Sequence, residues 1–316
     1  MTDFATCTEA VPMPLPTPSP FTGLSAFPLT PVRDGRLDED AFIGLIDRLV
    51  AAGVDSIAPL GSTGCGPYFG PADRAEVARL TVDRADGIPV TIGIGALSTR
   101  DVLTNAESAE AAGAAALLLA PVSYHPLTET EVVELFRTVA SASDLPVIVY
   151  DNPGTTRFTF TTELYARLSE TEGVAAIKIP GLPLSPADWR ERVEGIRRAT
   201  GGRVAVGVSV DAHGAEGLIA GCDAWFSAIG GTLPAPVLAI TRAVEAGEIE
   251  HARALAVHLQ PLWDLFAAHG GSLRVSAAIA EHLGLVAADC LPAPLRGLSA
   301  EDTRRVAAVV DDLGLS

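Results

Sequence analysis

The stretch 173–181, GVAAIKIPG, contains Lys178, the only lysine in this 316-residue chain. The other 21 of its 22 lysine and arginine residues are arginine. Apolar residues flank Lys178 on both sides, which is typical of the end of a buried strand. Burying an unpaired ammonium is costly, but a desolvated lysine, unlike arginine, can lose its proton and attack a carbonyl carbon. A GC-rich genome would also deplete lysine, yet the position of Lys178 favours a covalent role.

Seven further short apolar runs resemble the one that carries Lys178, and amphipathic segments separate them. The eight runs span 23–29, 56–60, 90–94, 115–120, 147–150, 174–179, 204–208 and 224–229. Nearly continuous apolar character is typical of parallel strands that are covered on both faces. The alternation of strands and helices predicts a (β/α)8 barrel over residues 21–245. The alternative is a doubly wound open sheet, but no G-x-G-x-x-G motif follows the first run.

The two ends of the chain follow different patterns from the barrel. Residues 1–20 contain prolines at every second position from 12 to 20, which predicts an extended leader. From residue 246 onward there is no strand candidate, and the periodicity predicts helices over 253–268, 273–283 and 301–313. We therefore expect residues 246–316 to form a C-terminal helical region packed on the barrel.

Composition argues against several classes of function. The net charge of -17 disfavours nucleic-acid binding, which needs clustered lysine and arginine. No apolar run approaches the roughly 18 residues that span a membrane, and the N-terminus lacks the pattern of a signal peptide. These features predict a cytoplasmic protein without nucleic-acid or membrane partners. The four cysteines and six histidines show no metal-like or disulfide-like spacing.

Polar residues follow several of the apolar runs, at the point where each strand should end. In a (β/α)8 barrel these ends meet at one face, where the active site lies. Hydroxyls and backbone N–H groups of a Gly-Ser-Thr-Gly turn can hold a carboxylate, and a tyrosine beside an amine can shuttle protons. Each feature alone is also typical of an ordinary turn or a core ring. The candidates are Gly61, Ser62 and Thr63 after the second run, Tyr124 after the fourth, Tyr150 in the fifth, Lys178 in the sixth and Ser209 after the seventh.

The ordered motifs 61–64 (GSTG), 150–154 (YDNPG) and 177–178 (IK) resemble the dihydrodipicolinate synthase / N-acetylneuraminate lyase family. The resemblance implies a (β/α)8 barrel with C-terminal helices, often assembled as a homodimer or homotetramer. It also implies that Lys178 forms a Schiff base with pyruvate or a related 2-oxo acid. Ser62 and Thr63 would hold the carboxylate, and Tyr150, assisted by Thr63, would relay protons. The family requires no metal or organic cofactor.

Three departures from the family pattern concern the second substrate. Cys65 stands where the synthase branch has glutamate, and Thr155 stands where it has the arginine that holds the aldehyde's carboxylate. Arg157 follows two positions later and is a candidate replacement. The tyrosine that subunits exchange falls on Ser123, next to Tyr124. We therefore expect Thr155, Arg157, Ser209 and Tyr124 to shape the substrate site, and we do not expect a typical 4-hydroxy-tetrahydrodipicolinate synthase.

The sequence favours an enzyme, a class I lyase or aldolase that acts on a 2-oxo acid and an aldehyde. The alternative is a non-catalytic barrel that binds a small acid as a sensor or partner protein, because the segment after Lys178, 179–183 (IPGLP), departs from the family pattern. A metal-dependent aldolase would need a cluster of His, Asp or Glu at the strand ends, which the sequence does not show.

Overall fold

A computed structural model describes residues 20–316, and within it eight parallel strands form a barrel. The order around the barrel is β4-β1-β10-β9-β8-β7-β6-β5, and a bridge between Ile57 and Val90 joins the two ends. The predicted fold class is confirmed. The barrel strands are β1 (Gly23–Ala26), β4 (Ser56–Ile57), β5 (Thr91–Gly93), β6 (Ala116–Leu119), β7 (Val147–Tyr150), β8 (Val174–Ile179), β9 (Ala205–Val208) and β10 (Ala224–Ser227).

Helices connect the strands on the outside of the barrel, where the sequence predicts helical segments between the apolar runs. Ser98 caps α3 through the backbone N–H of Asp101, and Thr128 forms a reciprocal capping box with Glu131 at α4. No helix among residues 20–316 is both long enough and apolar enough to cross a membrane. The connecting helices are α1 (Glu39–Ala52), α2 (Pro71–Arg84), α3 (Thr99–Ala112), α4 (Glu129–Ala142), α5 (Pro153–Thr156), α6 (Thr162–Ser169), α7 (Pro186–Thr200), α8 (Gly214–Ile219) and α9 (Pro234–Glu245).

Four further helices follow the barrel: α10 (Ile249–His258), α11 (Gln260–Ala268), α12 (Ser272–His282) and α13 (Ala300–Asp312). The single helix predicted over 253–268 is wrong, because the chain breaks at Leu259 into α10 and α11. Pro261 lies in the first turn of α11, where its missing N–H is tolerated, whereas it could not continue α10.

The sequence reasoning also missed a short hairpin, β2 (Val32–Arg33) and β3 (Arg36–Leu37), after the first barrel strand. Asp34 and Gly35 connect the strands with φ of 52° and 76°. An Asp-Gly pair with positive φ is a strong hairpin signal, so the information was present in the sequence. The leader predicted over 1–20 lies, apart from Pro20, outside the described residues.

Lys178 lies in the barrel interior because the side chains of a strand alternate between two faces. In β8, Ile177 and Ile179 pack in the outer core between sheet and helices, while Ala176 packs inside the barrel. Lys178 therefore points inward, level with Tyr150 on β7 and next to Gly207 on β9. A Cβ atom at Gly207 would lie 2.2 Å from the ring of Phe226, so this glycine makes room for an aromatic wall beside the lysine.

Candidate active site

The amine of Lys178 lies among aromatic rings at the carboxyl ends of the strands. Its Nζ is 4.2 Å from the ring centroid of Phe27, 4.4 Å from that of Tyr150 and 5.9 Å from that of Phe226. The residue is only 5% exposed, and this burial lowers the pKa of the amine from 10.5 to about 7. Although ring faces and the carboxylate of Asp211 favour the charged form, burial dominates. A large share of the amine is therefore uncharged near neutral pH.

The phenol of Tyr150 is anchored by hydrogen bonds next to the amine. Its hydroxyl lies 2.7 Å from Ser62 Oγ, and Asn152 Nδ2 donates to it at 3.3 Å. Burial raises the pKa of Tyr150, and its hydrogen bonds to Ser62, Asn152 and Thr155 partly offset this effect. The phenol thus stays protonated at neutral pH and can donate a proton to a group bound beside Lys178.

Asp211 is a buried carboxylate that the sequence reasoning missed. It accepts hydrogen bonds from Ser227 Oγ at 2.6 Å, Trp225 Nε1 at 3.2 Å and the backbone N–H of Ile229 at 3.0 Å. Burial raises its pKa, while these partners and the amine of Lys178 lower it. Asp211 lies two positions after Ser209, at the end of a barrel strand, so its place in the sequence was a usable signal.

The turn that carries Ser62 and Thr63 is held in place by a buried arginine. Arg74 donates from its two terminal nitrogens to the carbonyl oxygens of Gly66 and Gly93, both at 2.7 Å. These bonds tie the turn to strand β5. A Cβ atom at Gly66 or Gly93 would lie 2.2 Å from the carbonyl oxygen of Leu60, so the close approach requires glycine at both positions.

A cavity of about 380 Å³ opens beside Lys178. Ser62, Thr63, Tyr150 and Ser209 form its barrel side. Helix α11 supplies the opposite side with Trp263, Phe266 and Ala267, so the C-terminal helices complete the site. The cavity therefore brings together a buried amine, a phenol and several hydroxyl groups.

Comparison with known proteins shows the family to which the chain belongs. The family model for the Dihydrodipicolinate synthetase family matches residues 20–313. The chain belongs to this family. A dihydrodipicolinate synthase from Agrobacterium tumefaciens is similar in structure, with a TM-score of 0.89 and 42% identity over 94% of this chain and 99% of that one. An uncharacterized DapA-like lyase of Halobacterium salinarum is 32% identical over 89% of this chain and 90% of its own length.

A third relative, a prophage protein of the dihydrodipicolinic acid synthase family from Escherichia coli, has a TM-score of 0.86 and 25% identity over 94% of this chain and 100% of that one. Its structure contains pyruvate. Since the curated relatives are named as synthases or lyases, this dihydrodipicolinate synthetase family member is an enzyme of the lyase class.

The structure of this family member places most of the candidate residues at one mouth, but not all. Gly61 and Thr155 line a small adjoining cavity of about 40 Å³, which Ser62 and Tyr150 also border. The hydrogen bond to the phenol comes from Ser62, whereas Thr63 lines the larger cavity. Ser62 and Tyr150 therefore form a wall that the two cavities share.

Two of the residues predicted to bind substrate, Arg157 and Tyr124, line none of the cavities that residues 20–316 form at the barrel mouth. Arg157 ends the short helix α5 in a left-handed conformation, with φ of 57°, and its side chain is exposed. Tyr124 is 81% exposed and packs edge-on against His125, with ring centroids 5.1 Å apart. Both residues lie in loops, where strand register does not dictate the direction of the side chain.

Proposed function

We propose that the protein forms a Schiff base between Lys178 and pyruvate or a related 2-oxo acid. It then joins the 2-oxo acid to an aldehyde, or cleaves the corresponding keto acid. The observation that carries the proposal is the amine of Lys178, whose pKa is about 7 and which lies 4.4 Å from the ring of a hydrogen-bonded tyrosine. A neutral buried amine beside a proton donor is what imine formation needs.

The proposed reaction begins when the neutral amine adds to the C2 ketone, while Ser62 and Thr63 hold the substrate carboxylate. Tyr150 donates a proton to the oxygen of the resulting carbinolamine, and water leaves to give the imine. The tyrosinate that remains takes a proton from C3 and so converts the protonated imine to an enamine. The enamine carbon then attacks the aldehyde, whose oxygen takes up the proton from Tyr150. Water then returns to hydrolyse the product imine and release the amine. Cleavage of a keto acid follows the same steps in reverse.

The identity of the aldehyde substrate depends on residues other than Lys178 and Tyr150. Because Thr155 is neutral, the loop after β7 offers no charged partner for a carboxylate at that position. We therefore do not propose a typical 4-hydroxy-tetrahydrodipicolinate synthase. We further propose that the protein is cytoplasmic. We also propose that it forms a homodimer or homotetramer, because the exposed Tyr124 ring offers apolar surface to a second copy. Light scattering should then give a multiple of 32.6 kDa.

Borohydride trapping tests the covalent step directly. The protein is incubated with pyruvate, reduced and weighed intact by mass spectrometry. We expect a single adduct whose added mass equals pyruvic acid minus one oxygen atom. Lys178→Ala and Lys178→Arg should give no adduct, since neither side chain offers a neutral primary amine. An adduct that persists in both variants, or no adduct in the unaltered protein, would contradict the proposal.

The alternative function is a non-catalytic sensor of small acids. It is favoured by the segment 179–183, whose sequence departs from the family pattern. That segment is held by a hydrogen bond from Arg192 to the carbonyl of Pro180, 2.8 Å, and by one from Gly181 to Ser209, 2.9 Å. A sensor would show thermal stabilisation by pyruvate without a trapped adduct. Both functions predict thermal stabilisation by pyruvate, so the trapped adduct is the result that separates them.

A further inference from the structure

A second large cavity, of about 440 Å³, borders the Lys178 cavity at the mouth of the barrel and is distinct from the small one that Gly61 lines. Ser62, Thr63 and Asn152 line both cavities, so a molecule in the second one lies against the wall that would hold the 2-oxo acid. Thr155 and Arg274 also line the second cavity, from the loop after β7 and from helix α12. The two cavities together form a site with room for two reactants.

Arg274 is the only arginine or lysine that lines this second cavity among residues 20–316. Its side chain is half-buried, and its Nε donates to the carbonyl oxygen of Arg296 at 3.0 Å. Within the described part of the chain, no carboxylate lies within ion-pair distance of its guanidinium, and both terminal nitrogens lack a hydrogen-bond partner. By contrast, Arg253 forms an ion pair with Glu216 at 2.8 Å, and both terminal nitrogens of Arg74 donate hydrogen bonds to backbone carbonyl oxygens.

The walls around Arg274 offer it no negative charge. No aspartate or glutamate from residues 20–316 lines the cavity, whose other polar side chains include those of Thr155 and Ser272. Cys65 also lines it, and burial raises the pKa of this thiol to about 12, so it stays uncharged. A half-buried guanidinium whose two terminal nitrogens have no partner favours an anion, which it can hold through two parallel N–H···O bonds.

We propose that Arg274 binds the anionic end, a carboxylate or a phosphate, of the aldehyde that reacts at Lys178. This inference rests on the proposed Schiff-base function and names the class of its second substrate. Thr155 and Ser272 line the same cavity and provide hydroxyls for the remaining anion oxygens. In the direction of cleavage, Arg274 binds the same end of the aldehyde fragment that is released.

Arg274 changes no bond in the reaction. The new carbon–carbon bond forms between the enamine carbon and the aldehyde carbon, and Tyr150 supplies the proton that the aldehyde oxygen takes up. Arg274 holds the far end of the aldehyde and so limits the orientations of its carbonyl group. Its loss should therefore affect binding of the second substrate and leave imine formation with pyruvate intact.

The first test measures binding to protein that has been reduced with pyruvate and borohydride, so that the 2-oxo acid position is filled. Calorimetry compares succinate with the neutral 1,4-butanediol, and glycerol 3-phosphate with glycerol. We expect each anion to bind at least about tenfold more tightly than its neutral match, since a hydrogen bond to a charged group contributes at least this much. The two pairs show whether a carboxylate or a phosphate is preferred.

The matched variants are Arg274→Gln and Arg157→Gln, which remove one arginine each from the same end of the barrel. Arg274→Gln should abolish the preference for anions. Arg157→Gln should retain it, because Arg157 is exposed and lies outside the cavity. Arg274→Lys should retain part of the preference because it keeps the charge but not the two-pronged geometry. Loss of preference in Arg157→Gln, or its survival in Arg274→Gln, overturns the proposal.

The second test compares turnover of pyruvate with succinic semialdehyde and with butanal. Wild-type protein should favour succinic semialdehyde at least about tenfold in kcat/KM, with the difference in KM. Equal binding of anion and neutral match by the wild type overturns the role of Arg274, even where trapping succeeds. Failure to trap pyruvate at all would instead overturn the Schiff-base function, so the two failures are distinguishable. If Arg274→Gln does not fold, the wild-type comparison and Arg274→Lys still decide.

Discussion

The Lys178 cavity and the cavity that Arg274 lines share a wall formed by Ser62 and Thr63. They differ in the charge state of their basic residue. Lys178 lies deep among aromatic rings, where burial lowers its pKa to about 7. Arg274 lies half-buried at the rim of the neighbouring cavity. Even where burial is strong, as at Arg74, the pKa of an arginine falls only to about 10. Burial thus favours the neutral form of lysine, which can act as a nucleophile, but leaves arginine charged.

Of the predicted effects, the largest should be the loss of reaction rate at Lys178 when the Tyr150 hydroxyl is removed. Tyr150→Phe keeps the ring beside the amine but removes the proton donor that bonds to Ser62. We expect the rate of pyruvate trapping to fall about 10² to 10⁴-fold, the usual contribution of a positioned proton donor. Rapid-quench trapping with mass spectrometry measures this rate.

Tyr165→Phe is the matched control, because Tyr165 is also a buried phenol but bonds to Asp151 and lines neither of the two mouth cavities. It should lower stability and leave the trapping rate unchanged. A Tyr150→Phe protein that traps pyruvate at the wild-type rate would show that the phenol is only a wall of the cavity.

The cost of burying Lys178 should appear as a gain in stability when the amine is removed. The pKa is lowered from 10.5 to about 7 on folding, so between these pH values the unfolded chain binds more protons and wild-type stability rises with pH. At pH 7, Lys178→Met should raise the free energy of unfolding by on the order of 2–4 kcal/mol. The gain should fade toward pH 10.5.

Urea unfolding at several pH values measures this difference. Lys178→Arg serves as the opposite case, since arginine cannot shed its charge at these pH values and should destabilise the protein. Equal stability of Lys178→Met and wild type at every pH would mean that the amine is not dehydrated in the folded state.

Asp211 should tune the amine, and its removal should have a smaller effect. Only the neutral amine reacts, so trapping should slow as pH falls below about 7. The carboxylate of Asp211 raises the pKa of Lys178, and Asp211→Asn should therefore move the midpoint of the pH profile downward. Asp151→Asn provides the comparison, because Asp151 does not contribute to the pKa shift of Lys178. An unchanged or higher midpoint in Asp211→Asn would exclude the electrostatic role.

The smallest predicted effect concerns the strained rim of the Lys178 cavity. Val210 lines this cavity with φ of 65°, a conformation that β-branched residues rarely adopt. Val210→Gly should raise the free energy of unfolding by roughly 0.5–1 kcal/mol, because relief of strain exceeds the added entropy of the unfolded chain. Val257→Gly, at an exposed position of α10, should instead cost up to about 1 kcal/mol. If both variants lose stability equally, the backbone at Val210 is not strained.

The barrel was predictable because its signals are local. Each strand is a short apolar run, and several connecting helices start at a cap, such as Ser98 or Thr128, that bonds to the first turn of its own helix. The break at Leu259 and the hairpin at Asp34 also had local signals, Pro261 and the Asp-Gly pair, which the periodicity of the flanking residues outweighed.

The residues by themselves determined the order of strands and helices, the single lysine at a strand end, and the pairing of Lys178 with Tyr150 and Ser62 at one face. These follow from strand alternation and from the rule that parallel strands end together. Only the tertiary structure decided that Asp211 lies near enough to raise the pKa of the amine, that Trp263 and Phe266 line the cavity, and that Arg274 rather than Arg157 lines the mouth. Loop and distant-helix side chains take their direction from packing between segments far apart in the chain, which no local pattern encodes.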